Sequence, residues 1–149
     1  MIDLAEDSRK KVERALLVGI REPGQTEAEI SECLDELADL VRNLDIVPLE
    51  PVVVSLHQVM PQYYVGSGKA QEIAQLAQEC EADCLIFDTP LSPSQQRNWE
   101  RLARCCVIDR EEVILDIFAE RAHTREAVLQ VSLARAQYSL PRLTRAWTH

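Results

Sequence analysis

The sequence has no apolar run of about 18 residues, which excludes an evident membrane-spanning helix. Its first residues, Met1-Ile2-Asp3-Leu4-Ala5-Glu6-Asp7, are acidic and lack the apolar stretch of a secretory signal, so a cytoplasmic location is expected. Cysteine is present but unpatterned. Cys33, Cys80, Cys84, Cys105 and Cys106 are odd in number and contain no C-x-x-C. A disulfide framework is therefore excluded, and buried reduced thiols are expected. His57, His123 and His149 stand far apart, so no zinc-ligand spacing arises and no metal is expected. Positive charge is also short. Sixteen Lys and Arg face 25 Asp and Glu, a net charge of −9. Taken whole, that balance disfavours a free-standing nucleic-acid binder, which needs cations to displace phosphate counterions.

What is present fits one domain of ordinary size. The chain has 149 residues, 46% apolar and 28% charged, near the average of globular proteins. Its charge is unevenly spread. Residues 1–120 carry 11 basic and 24 acidic side chains, a net of −13. Residues 121–149 carry five Arg and only Glu126 as an acid, a net of +4. Such a division lets an anionic partner be met through the tail alone.

Hydrophobic patterning predicts alternating strands and helices. Arg14 to Ile20 (RALLVGI) reads as a buried strand closed by Pro23-Gly24. Thr26-x-x-Glu29 caps a helix with one apolar stripe, Ile30, Cys33, Leu34, Leu37, Leu40, Val41 and Leu44. Pro48 to Leu56 is a second strand, its start limited by Pro51. A loop from Pro61 to Lys69 leads into a helix reaching Cys80. Asp83 to Asp88 is a third strand, and Ser92-Pro93 opens a helix running to about Arg104. Cys105 to Asp109 is a fourth strand, and Asp109-x-x-Glu112 caps a final helix over about 110–139. The fold class is thus α/β, a four-stranded, mostly parallel sheet with helices on both faces. Residues 1–109 form an acidic body and 110–149 a long helix and tail. A helix of about 30 residues spans roughly 45 Å, far beyond a strand of about 17 Å, so its second half should project. Val128, Leu129, Leu133 and Leu140 continue an apolar stripe there and need a packing partner.

Several residues are candidates for binding. Gly66-Ser67-Gly68-Lys69 precedes a helix, where backbone N–H groups and Lys69 could hold a phosphate, or the glycines could simply form a turn. Tyr63 and Tyr64 could stack on a base or join the core. Asp88 and Asp109 fall at strand carboxyl ends, the usual ligand edge of an open α/β sheet, though capping and a turn explain them more simply. Arg97, Arg101 and Arg104 share a helix face that is either solvated or phosphate-binding. Arg121, Arg125, Arg135 and Arg142 have few acids nearby in sequence, which favours contact with RNA. No nucleophile and base stand together, so no catalytic residue is proposed.

Three stretches resemble the N-terminal domain of the HflX family of translational GTPases. They are Tyr64-Val65-Gly66-Ser67-Gly68-Lys69 with Glu72-Ile73, then Phe87-Asp88 with Leu91-Ser92-Pro93-Ser94-Gln95-Gln96-Arg97-Asn98, and a long run from Val107-Ile108-Asp109-Arg110 to Tyr138-Ser139-Leu140-Pro141-Arg142-Leu143-Thr144. In that family a glycine-rich loop, a second long helix and a GTPase domain follow the long helix, and the chain stops before them. The 110–149 segment then corresponds to the first half of a helical hairpin. The resemblance implies binding to the large ribosomal subunit, through its RNA, in ribosome splitting or rescue. It also raises phosphate contact for Arg97. GTP and Mg serve the full-length family protein, whereas no cofactor is expected in this chain: no G-x-x-x-x-G-K-[ST], D-x-x-G or N-K-x-D occurs. Two alternatives stand beside this one. The first is an ATP-binding α/β domain using the Gly66–Lys69 loop, since adenine-nucleotide binding is discussed for the family. The second is a protein-interaction module whose long helix self-associates in place of the missing second helix.

Overall fold

A computed structural model of the chain describes residues 12–143; the acidic start of the body and Thr144 lie outside these residues. The elements are β1 (Arg14–Arg21), α1 (Glu27–Arg42), β2 (Val47–Pro48), β3 (Val52–Ser55), α2 (Ser67–Glu79), β4 (Cys84–Phe87), α3 (Pro93–Ala103), β5 (Cys106–Asp109), α4 (Arg110–Arg121) and α5 (Arg125–Ser139), with a 3-10 turn at Leu140–Arg142. The α/β class and the helices on both faces are as expected. The sheet is parallel throughout, and β1 lies at its centre, with β2 and β3 along one side and β4 then β5 on the other.

The sheet has five strands rather than four. The strand expected to start at Pro51 is β3, pairing from Val18↔Val52, and the unexpected strand is β2 just before it, pairing from Arg14↔Val47. The cause lies at Leu49–Pro51: the Leu49 N–H still donates to Ala15 O, but Pro51 has no N–H to continue the ladder.

Strand alternation divides the core between two faces. Leu16, Val18 and Ile20 of β1 join Phe87, Trp99 and the Ala70–Ala77 stripe of α2 on one side. Ala15 and Leu17 face Ile30, Leu34, Leu37 and Val41 of α1 on the other, with Val113 and Ile117 of α4. Gly19 lies on this second face, where a Cβ would come within 2.8 Å of the Leu34 side chain, so α1 packs directly on the β1 backbone. The helix starts follow the sequence signals. Thr26 accepts the Glu29 N–H, and Ser92 with Gln95 completes a capping box behind Pro93.

The single helix expected over 110–139 is two helices. Ala122 turns to extended backbone (φ −78°, ψ 111°), and Thr124 caps a new helix by accepting the Ala127 N–H. The chain then doubles back instead of projecting. Arg135 pairs with Asp116, and Tyr138 reaches Asp109 at the start of α4, so α5 runs antiparallel to α4. Burial of Tyr138, 7% exposed, against the sheet edge is what the straight helix would forgo.

Candidate functional site

The carboxyl edge of the sheet carries the loops with chemistry in them. After β3 the chain passes through a small antiparallel loop, Met60↔Tyr64, whose carbonyls are held by one face of α3. Gln95 donates to Met60 O, Asn98 to Gln62 O and the Trp99 indole to Tyr63 O at 2.8 Å. Tyr63 packs edge-on to Trp99 at 5.5 Å, and Tyr64 donates its hydroxyl to Glu22 at 2.6 Å. Both tyrosines are thus packed against the core while remaining half-buried. Tyr64 adopts φ 69°, a left-handed backbone costly for a residue with a Cβ. Burial and the Glu22 contact raise its phenol pKa to about 12.

Gly66 is the N-cap of α2, and its position lacks any side-chain cap. The first-turn N–H groups of α2 therefore have no side-chain acceptor of that kind. Gly66 and Gly68 open onto free space, and Ser67 and Lys69 are exposed. Lys69 pairs with Glu72 at 2.9 Å, an exposed i,i+3 contact of small energetic weight.

The arginines separate into distinct environments. Arg97 is half-buried and engaged within the fold. Arg101 is exposed, and Arg104 closes α3 in the left-handed region. Arg121 donates to Asn43, Arg135 pairs with Asp116, and Arg125 is exposed beside Leu129 and Leu133. Arg142 turns inward: it donates to Gln96 Oε1 at 2.7 Å, Leu91 O at 2.7 Å and Tyr138 O at 3.1 Å, and lies over the Tyr138 ring at 4.0 Å. The sequence offered no acid near it because its acceptors are two carbonyls and an amide.

Sequence reading also missed the centre of this network. Asp109 is fully buried and accepts three donors: Leu91 N–H at 3.1 Å, Glu112 N–H at 3.2 Å and the Tyr138 hydroxyl at 3.1 Å. Only the Glu112 cap was legible, because the other two donors come from 18 and 29 residues away. Asp88 is also spoken for, by Arg110 at 2.6 Å, and Arg110 extends to Cys33 O.

The thiols are free, but of the five only Cys84 is buried and the other four are half-buried. Cys84 and Cys106 are register neighbours on β4 and β5, and burial pushes the Cys84 thiol pKa well up. Burial likewise raises Cys105 to about 12, so neither is a ready nucleophile. Among the described residues no group of three metal-ligating side chains occurs.

The stripe on α5 faces solvent. Leu129 and Leu133 are each 61% exposed and Leu140 64%, with Val128 beside them. A shallow groove of about 370 Å³ runs between α4 and α5, past Phe118, Arg121 and Val131. No described helix is long and apolar enough to cross a membrane.

A parallel sheet with helices on both faces, followed by a helical pair, defines an α/β domain joined to a helical segment. Residues 31–119 match the GTP-binding GTPase N-terminal family, and 121–149 match the GTP-binding GTPase middle region. The chain belongs to the GTP-binding GTPase N-terminal family. It is 56% identical over 138 residues to the GTPase HflX of Akkermansia muciniphila, covering 93% of this chain and 32% of that protein. The GTPase HflX of Escherichia coli is 44% identical over 137 residues, with 92% and 32% covered. The chain therefore spans about a third of the length of these curated relatives. Among solved structures, a substituted variant of SsGBP superposes with TM-score 0.67 at 25% identity, covering 88% of this chain and 40% of that one. A GTP-binding protein from Sulfolobus solfataricus in complex with GDP gives 0.62 at 24% identity over 88% and 38%, a likeness of fold alone.

The residues of this chain do not fit a GTP–Mg site. Lys69 is followed by Ala70, which is fully buried in α2, where a phosphate loop needs a metal-binding hydroxyl.

Proposed function

We propose that this chain is the ribosome-contacting N-terminal module of an HflX-type GTPase and meets large-subunit RNA. The observation that carries the reading is 56% identity to a GTPase HflX over 93% of the chain. The contact is electrostatic and local. Lys69 with the open Gly66-Ser67-Gly68 backbone, Arg97 of α3, and Arg121, Arg125 and Arg135 of the helical pair supply the phosphate-facing groups. Arg125 reaches solvent at the start of α5, and the Lys69–Glu72 and Arg121–Asn43 contacts are exposed enough to exchange for phosphate. Arg142 contributes by ordering the segment that carries the others. GTP hydrolysis belongs to the part of such proteins that this chain does not span, and Mg accompanies it there.

Cosedimentation with large ribosomal subunits over a salt series tests the reading. Binding should weaken linearly in the logarithm of salt concentration. Lys69→Ala and Arg125→Ala should each lower that slope by about one. Binding unaffected by salt would remove phosphate contact. An ATP titration separates the nucleotide reading: Ala70 follows Lys69 where a nucleotide-phosphate loop carries a hydroxyl, so no saturable ATP binding is expected.

The exposed Leu129–Leu133–Leu140 face supports a second, compatible role in association. In a longer HflX-type chain a following helix covers it; in this chain by itself a second copy does, and the cytoplasm is the compartment in which both would act.

A further inference from the structure

One cluster does more than order the basic segment: the buried knot of Asp109, Tyr138 and Arg142. We propose that it is a latch through which the β4–α3 loop and the end of α5 fix each other's position. The Leu91 peptide is clasped on both sides. Its N–H donates to Asp109 Oδ2, and its C=O accepts from Arg142 at 2.7 Å. The same Asp109 accepts the Tyr138 hydroxyl on Oδ1, and the same Arg142 stacks on the Tyr138 ring. Gln96 joins the two sides, accepting from Arg142 while donating to Val107 O at 2.7 Å inside the sheet. Every group in the knot is partnered across it, so neither side loosens without leaving the other short of a partner.

The rest of α5 is held more lightly, by the half-exposed Arg135–Asp116 pair to α4. Its start follows a break at Ala122–Thr124, where the helical ladder is interrupted. Its outer face, with Leu129 and Leu133, is exposed. Of its residues only Tyr138 is buried. The buried fastening at Tyr138 and Arg142 is therefore the contact that sets where the end of α5 lies. The apolar face of α5 thus points where the β4–α3 loop directs it. The coupling is intramolecular and independent of RNA.

Linkage requires the effect to run both ways. Hydrogen exchange on the 149-residue chain tests this, because the Leu91 amide is itself a latch donor. In Tyr138→Phe, exchange at Leu91 should rise about fivefold, the ratio expected from losing one hydrogen bond, together with the last turn of α5. In Gln96→Met, placed on the other side, the last turn of α5 should rise likewise. Ile73→Val in α2 serves as a general destabilisation control. It should change Leu91 and α5 only in step with the core amides of α1. Exchange that rises in Tyr138→Phe within α5 alone, or in both regions no more than in the Ile73→Val control, would overturn the latch.

Discussion

At the residue scale, three positions set limits that substitution should expose. Gly19→Ala places a methyl against Leu34, 2.8 Å from its nearest atom in the undisturbed packing. A cost of about 1–3 kcal/mol is expected from overpacking, read from chemical denaturation. Asp109→Asn keeps the shape but replaces an acceptor oxygen with a donor facing N–H or O–H groups. The loss should be about 2–3 kcal/mol, since hydrogen bonds to a charged partner are the strong ones. Tyr64 makes a pH prediction. Its folded pKa is raised to about 12 by burial and by Glu22. The raised value favours the protonated folded form, so the stabilisation is complete below about pH 10, the unfolded pKa, and fades between 10 and 12. Tyr64→Phe should lack the late component of the phenolate absorbance titration and show a flatter stability profile across that window. Much of Gly19's role was foreseeable as a glycine in a buried strand. Tyr64 was not, because the Glu22 partner lies 42 residues away.

At the element scale, local signals placed helices well where a cap announced them. Thr26, Ser92-Pro93 and Asp109 each begin a helix as their chemistry requires. The failure at 122–124 is instructive. Ala122-His123-Thr124 contains neither Gly nor Pro, and the apolar spacing continues through it. Thr124 is nonetheless a good cap, and three-dimensional burial of Tyr138 tips the balance between continuing and turning back. Thr124→Ala should cost about 1 kcal/mol as a lost cap, measured by thermal unfolding. The split of β2 from β3 has a more local cause, the two prolines that flank Leu49-Glu50.

At the scale of the whole molecule, charge and apolar surface are sorted. Net −13 on residues 1–120 confines any RNA contact to a few basic groups. Part of the exposed apolar surface forms a stripe on α5, where two leucines each leave 61% of their surface in water. Leu129→Glu with Leu133→Glu should abolish concentration-dependent association of this chain, as measured by sedimentation equilibrium, while leaving its stability nearly unchanged. Stability should hold because neither side chain contributes much to the core in this fold.

The sequence by itself determined the class of fold, because strand and helix periods and their caps are local, and each is written within about a dozen residues. It also determined that no phosphate loop for GTP exists here, because that motif is contiguous. Tertiary structure alone decided the direction of α5, the inward turn of Arg142 and the arrival of Leu91 and Tyr138 at Asp109. Those depend on groups 18 to 51 residues apart whose meeting is set by sheet order and burial, and neither is a property of any short stretch of chain.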